Sequence, residues 1–235
     1  MKLSIIIPTY NEENFLPKLL SDIKKQTFRD FEIIVSDGDS QDKTREIALK
    51  NGARVVTSTD RSPAIQRNKG AEKAKGEILL FLDADSRLLD GDFLEITLKQ
   101  FEEQELDAAG FIIKWDGEGT KYRFLDLFYY LCSRLVFYVK PFTPGAGIIV
   151  KKTVYKKSHG FDTSLFIGED HDYGEVLEKL GKIGVIPDVR IVTSVRRFEK
   201  EGFLKTNSKW ATAVIDKSLK GKVEKRFEYK YGDYD

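Results

Sequence analysis

Four short apolar runs, each followed by a helical pattern, constrain what the first hundred residues can form. Residues 3–7, 31–35, 54–57 and 78–82 read as strands. The last is an unbroken apolar run and the first departs from one only at Ser4, without the alternation of a half-exposed sheet. Phe15, Leu16, Leu19, Leu20 and Ile23 recur at helical spacing after the first strand. Asn11 is expected to cap that helix, with Glu12 and Glu13 in its first turn, where the dipole favours anions. Residues 43–50, 62–75 and 92–105 read as further helices, the second with Pro63 in its first turn. Strands alternating with helices predict an α/β fold with a mostly parallel central sheet flanked by helices.

The second half is less regular. Strands are predicted at 108–114, 147–150, 183–186 and 190–193, and helices at 121–139, 169–180 and 203–219. Leu204, Ala211, Ile215 and Leu219 share a face of the last helix. No repeat or low-complexity linker interrupts the chain, which predicts a single domain over 1–220 and a charged, aromatic tail over 221–235. A net charge of +1 gives no global attraction to nucleic acid. The lone cysteine, Cys132, excludes an internal disulfide framework and fits a reducing, cytoplasmic setting. The apolar start is cut by Pro8 and is too short for a signal-peptide core. Residues 124–139 are rich in Phe, Tyr, Leu and Val but are broken by Asp126 and Arg134, so they do not form a membrane span of ~20 apolar residues. They either pack in the core or lay an apolar face on a lipid surface, which would put the protein at the inner face of the membrane.

The candidate chemistry lies in acidic clusters. Asp83 and Asp85 end the fourth strand, and Ala84 between them points the other way, so both carboxylates can face one side. The carboxyl end of a parallel strand is where α/β sheets bind ligands. Paired carboxylates there suit a hard divalent cation shared with a diphosphate. The other reading makes them turn and cap acids. Asp37 follows the second strand and is a better ligand candidate than Asp39 or Asp42. Glu169-Asp170 stands at a predicted helix start and either caps it or supplies a general base. Arg67 and Asn68 either lie on a solvated helix face with Lys69 and Lys73 or serve the site. Arg196-Arg197 either binds phosphate or pairs with Glu199. With two histidines, His159 and His171, a His-based metal cluster is excluded.

Taken in order, IIIPTYNEE, EIIVSDGDSQDKT, AIQRNKGAEKAKGEILLFLDADS and GFDTSLFIGEDHDYGEVLEKLGK resemble the motifs of glycosyltransferase family 2, inverting sugar transferases with the GT-A fold. The resemblance covers about residues 3–190. It implies a nucleotide pocket lined by Pro8, Thr9, Tyr10, Asn11 and Glu12, with Tyr10 against the base. It implies that Asp37 hydrogen-bonds the base and that Arg67 contacts the base or phosphate side. Within Asp83-Ala84-Asp85, it implies that Asp83 holds the ribose or a metal-bound water and that Asp85 ligates Mg²⁺ or Mn²⁺. Asp170 would be the base and Glu169 would shape the acceptor site. The donor would be a nucleoside-diphosphate sugar; the acceptor would be a sugar hydroxyl or a polyprenyl phosphate.

Two departures matter. Gly38 stands where the family's turn commonly carries a second acid. Arg196-Arg197-Phe198 only partly echoes the Gln-x-x-Arg-Trp motif of processive members. A sugar-phosphate nucleotidyltransferase would need a glycine-rich loop after the first strand, and residues 8–13 contain no glycine. A non-catalytic nucleotide-sugar-binding module predicts a damaged metal or base position, yet Asp85 and Asp170 are both present.

Overall fold

A computed structural model describes residues 1–117, 146–165 and 167–202 continuously, with further positions within 119–131 and 205–212. Seven strands form one sheet: β1 (Leu3–Thr9), β2 (Phe31–Asp37), β3 (Arg54–Thr57), β4 (Ile78–Leu82), β5 (Ala108–Trp115), β6 (Gly147–Lys151) and β7 (Ile183–Thr193). Their order is β3-β2-β1-β4-β6-β5-β7. Strands β1 to β4 run parallel to one another, β6 is antiparallel to both its neighbours, and β5 and β7 are parallel. The helices are α1 (Leu16–Lys24), α2 (Thr44–Lys50), α3 (Pro63–Lys73), α4 (Phe93–Glu103), α5 (Lys152–Ser158), α6 (Glu169–Glu178) and α7 (Arg196–Glu201).

The apolar character of β1 and β4 is explained by two cores. Ile5, Ile7, Leu80 and Leu82 pack on one face with Leu16, Leu19, Leu20 and Ile23 of α1 and Phe93, Leu94, Leu98 and Phe101 of α4. Ile6, Leu79 and Phe81 pack on the other with Ala64 and Ala71 of α3 and Tyr173 and Leu177 of α6. A Cβ on Gly70 would lie 2.5 Å from Ile6 Cγ2, so α3 sits close on β1 because that residue has no side chain.

The sheet opens where its order reverses. Pairing of β1 with β2 runs to Thr9 opposite Asp37, but pairing of β1 with β4 ends at Ile6 opposite Phe81. Pro8 is tolerated in this central strand for that reason. Thr9 turns its carbonyl to the β2 side, where it accepts from the Gly38 N–H at 2.9 Å, so Pro8 faces the other way, past the last β1–β4 pair. The crevice lies at the carboxyl ends of β1, β2 and β4, a topological switch point.

Four expectations need correction. Asn11 does not cap α1: the helix starts at Leu16 with Pro17 in its first turn, and Asn11 takes a left-handed φ of 52° in the preceding loop. Glu12 and Glu13 therefore belong to that loop. Asp37 is the last residue of β2 rather than the first of the turn. Residues 183–193 form one strand, with the register shifting opposite Phe111 and Ile112 so that 187–189 bulge out. Pro187 sits in that bulge on an edge strand, where a missing donor costs no ladder bond. Helices α5 and α7 are too short to show a periodicity. The expected 203–219 helix and 221–235 tail lie mostly or wholly outside the described residues, as does Cys132.

Candidate active site

Two loops at the crevice are tied to each other before any ligand is considered. Asp37 is fully buried and accepts from Thr9 Oγ1 at 3.0 Å, the Ser40 N–H at 2.9 Å and Ser40 Oγ at 2.5 Å. The Asn11 N–H donates to Ser40 Oγ at 2.9 Å, and Asn11 Oδ1 accepts from the Gln41 N–H at 2.9 Å. The Glu12 and Glu13 amides donate to Thr44 Oγ1 and Asp42 Oδ2 at 2.8 and 3.0 Å. Asp37 thus shapes the loops at the ends of β1 and β2 through its own contacts. The Tyr10 ring lies beneath Arg61, whose guanidinium carbon is 4.4 Å from the ring centroid. A Cβ on Gly38 would meet Gln66 Nε2 at 2.1 Å, so the place of a side chain at 38 is filled from α3.

Arg67 is the centre of the site's second part. Only 3% exposed, it donates through Nη1 to Glu169 Oε1 at 2.7 Å and through Nη2 to Asp83 Oδ1 at 2.8 Å. Its guanidinium also faces the Phe161 ring at 5.3 Å. One fork therefore joins the Asp-x-Asp strand end to the start of α6. Asn68 fixes the intervening loop: its Nδ2 donates to the Phe161 carbonyl at 2.8 Å, and its Oδ1 accepts from Tyr155 Oη and the Phe161 N–H, both at 2.9 Å. The reading of Arg67 and Asn68 as a solvated helix face is overturned. Ala64, Arg67 and Ala71 share the buried stripe of α3, a spacing already visible in the sequence.

Asp170 stands next to that fork. Burial pushes its carboxyl up to about 6, and the charges of Glu169 and Asp83 add to the shift against Arg67 and the His171 N–H. Gly168 precedes α6 in a left-handed conformation, φ 79°, and swings the chain into the crevice.

Arg196 was the least expected participant. It donates to both oxygens of Glu12, Nη2 to Oε1 at 2.7 Å and Nη1 to Oε2 at 2.9 Å, and its Nε lies 3.2 Å from Asp85 Oδ2. Burial raises Glu12 to about 7, Arg196 opposing and Asp85 and Asp83 adding to it. The loop carrying Asp85 is braced from behind: Arg87 holds buried Asp22 by Nε and Nη2 at 2.5 and 3.1 Å.

No group of three or more His, Cys, Asp or Glu among the described residues forms a self-sufficient metal cage. The donor set at the crevice is the carboxylate pair Asp83 and Asp85. That fits a Mg²⁺-type ion, which is commonly held by one or two carboxylates together with substrate phosphates and water. It does not fit a permanently bound structural metal.

With this geometry in view, the sequence profile described as Glycosyl transferase family 2 matches residues 4–158. The match contains Arg67, Asp83 and Asp85 but ends before Glu169, Asp170 and Arg196. The GalNAc(5)-diNAcBac-PP-undecaprenol beta-1,3-glucosyltransferase of Campylobacter jejuni is 38% identical over 127 residues, 51% of this chain and 41% of the relative. The poly(ribitol-phosphate) beta-N-acetylglucosaminyltransferase TarS of Staphylococcus aureus is 35% identical over 121 residues, 48% of this chain and 19% of the relative. The chain spans less than half the length of these relatives. Among solved structures, S. aureus TarS 1–349 in complex with UDP-GlcNAc superposes with a TM-score of 0.67 at 25% identity, covering 83% of this chain and 58% of that one. The mannosyltransferase PcManGT from Pyrobaculum calidifontis, in complex with GDP-Man and Mn²⁺, gives 0.69 at 21% identity over 89% of this chain and 64% of that one. The sheet and its flanking helices are the GT-A arrangement of these transferases.

Proposed function

The chain belongs to glycosyltransferase family 2, and from that premise we propose that it is a metal-dependent inverting glycosyltransferase. It moves a sugar from a nucleoside-diphosphate donor to a hydroxyl or lipid-phosphate acceptor. The observation that carries the reading is the Arg67 fork, which fixes the Asp-x-Asp motif beside Asp170 across a crevice at the switch point.

The residues divide the work. Pro8, Thr9, Tyr10, Asn11 and Glu12 form the wall on which the nucleotide lies, shaped from behind by Asp37. Asp85, with Asp83 beside it, would hold the divalent cation, which when bound neutralises charge on the departing diphosphate. Asp170 accepts the acceptor's proton as the acceptor oxygen attacks the anomeric carbon. The bond from that carbon to the diphosphate oxygen breaks on the opposite face, and the electron pair leaves with the nucleoside diphosphate. A single displacement inverts the anomeric centre. Glu169 is held by Arg67 and shapes the floor of the acceptor side.

The reading is tested by incubating the protein with UDP- and GDP-sugars, with and without Mn²⁺, and measuring release of UDP or GDP. Turnover that needs the metal supports it. No turnover of any donor, with no rise in melting temperature on adding donor and Mn²⁺, would sink it. Asp85→Ala is expected to abolish Mn²⁺-dependent binding of the nucleoside diphosphate with little change in melting temperature, because Arg196 keeps Glu12 as a partner. Calorimetric titration with UDP and GDP checks it, and Mn²⁺-dependent binding at wild-type affinity would remove Asp85 from the metal.

A lipid-linked acceptor is the second part of the proposal. Phe124, Leu127 and Leu131 are 73%, 55% and 52% exposed at helical spacing. Phe128 and Leu135 of the same predicted stripe lie outside the described residues. No helix among the described residues is long and apolar enough to cross a membrane. The C. jejuni relative is named for a PP-undecaprenol-linked substrate. In this proposal the catalytic domain, 1–220, is cytoplasmic and makes a peripheral contact at the inner membrane face, a reading supported by the exposed apolar stripe. Weak flotation with liposomes is expected, little affected by salt because the net charge is +1. Complete absence from the lipid fraction would favour a soluble acceptor.

A further inference from the structure

Arg196 lies beyond residue 158, where the family match ends, and reaches carboxylates from two separate segments. Its two terminal nitrogens hold Glu12, its Nε faces Asp85, and its cation lies 4.4 Å from the centre of the Phe15 ring. The position is built rather than chosen by a loose surface side chain. Arg87 and Val192 exchange backbone hydrogen bonds of 2.7 and 3.1 Å, locking β7 against the Asp85 loop. Asp116 Oδ1 then accepts from the Val195 N–H at 2.8 Å, which sets the start of α7. The side chain of Arg196 remains 18% exposed.

We propose that Arg196 is the counter-ion of Asp85 in the metal-free protein, and that metal and nucleoside diphosphate together take Asp85 from it, turning Nε–H to the diphosphate while Glu12 keeps the other two nitrogens. The proposal rests on the donor site argued above. A guanidinium beside Asp85 opposes a second cation at the same carboxylate. That opposition is relieved when an anionic diphosphate enters, because both cations then face a shared anion. Glu12 becomes a positioning residue: its two-point grip stops the released arginine from swinging into solvent. Binding of the metal is thereby coupled to binding of the donor, since neither alone satisfies both Asp85 and Arg196.

The test is a Mn²⁺ titration of the nucleotide-free protein by electron paramagnetic resonance, followed by calorimetry with UDP and GDP at saturating Mn²⁺. An opposite charge within about 4–6 Å shifts a carboxylate's proton affinity tenfold or more. Arg196→Gln is therefore expected to bind Mn²⁺ at least about tenfold more tightly without nucleotide, and the nucleoside diphosphate at least about tenfold more weakly with it. Arg196→Lys, which keeps the charge, should retain the weak nucleotide-free metal binding. A merely structural arginine would move both affinities the same way and lower the melting temperature. Unchanged or weaker Mn²⁺ binding by Arg196→Gln overturns the proposal. Should that variant not fold, Glu12→Gln decides: it leaves more of Arg196 to Asp85, so nucleotide-free Mn²⁺ binding should weaken, and tighter or unchanged binding overturns the proposal. A wild type that binds Mn²⁺ but neither nucleotide leaves this comparison readable and counts against the donor reading instead.

Discussion

Asp170→Asn is expected to transfer sugar about 10²–10⁴-fold more slowly than wild type, the usual cost of losing a general base, and yet to melt at a higher temperature. Both effects follow from one environment. Burial and the Glu169 charge hold the Asp170 carboxyl at about 6, above its ordinary 3.8. The folded protein therefore keeps this proton where the unfolded chain has lost it. Stability falls as pH rises between those two values, and the whole cost is present at neutral pH. An amide of the same size carries no such cost, so the variant should gain roughly 2 °C or more at pH 7.5. Wild-type rates should fall below about pH 6, where an ordinary aspartate would hold its rate to about pH 4. Donor affinity should barely move, because the proposed nucleotide wall and metal site stand at the ends of β1 and β4, apart from Asp170. Should Asp170→Asn work at near wild-type rate while Glu169→Gln does not, the base is Glu169. If neither change matters, the acceptor site lies elsewhere.

What was legible in the sequence is what is local in the chain. Strands buried on both faces are apolar at nearly every position, so β4 announced itself as an unbroken run. Residues 3–7 of β1 read as a run interrupted only at Ser4, whose buried hydroxyl donates to Glu32 and accepts from the Gly76 N–H. The Asp-x-Asp motif was readable because its position at a strand end is a sequence fact. The site's electrostatics were not readable, because they join distant segments. Arg67 and Glu169 are 102 residues apart, and Arg196 and Glu12 are 184 apart. Nothing in the sequence near Asp170 shows that Asp83 comes close enough to raise its pKa. Asn11 misled for a related reason: its side chain had a partner at Gln41, thirty residues away, and a long-range hydrogen bond displaced the cap that local propensity favoured. The bulge at 187–189 was likewise hidden, since Pro187 in an apolar run reads as a break between two strands until the edge position of β7 is known.

Arg67→Leu is expected to damage stability and activity together, which separates it from the base. The fork neutralises two carboxylates of unequal exposure. Asp83 has a side chain 35% exposed and can turn to water, whereas Glu169 at 11% cannot without moving α6. Leaving one charge of a buried pair uncompensated costs about 3–5 kcal/mol, and the exposure of Asp83 puts this case at the lower end. For a chain of this size that is a fall of roughly 6–12 °C in melting temperature. Arg67→Lys should recover only part of it, because one ammonium cannot reach both acids along the two directions the guanidinium uses. The activity loss should include donor binding, since Asp83 loses its orientation, as well as turnover, since Glu169 and Asp170 lose theirs. Thermal melting and nucleotide titration of the two variants check this. If Arg67→Leu melts within about 2 °C of wild type and binds nucleoside diphosphate normally, the fork does not hold the two halves of the site together. The coupling of the Asp-x-Asp strand to α6 would then rest on the apolar core that Phe81 shares with Phe161 and Tyr173, with Asn68 holding the Phe161 loop.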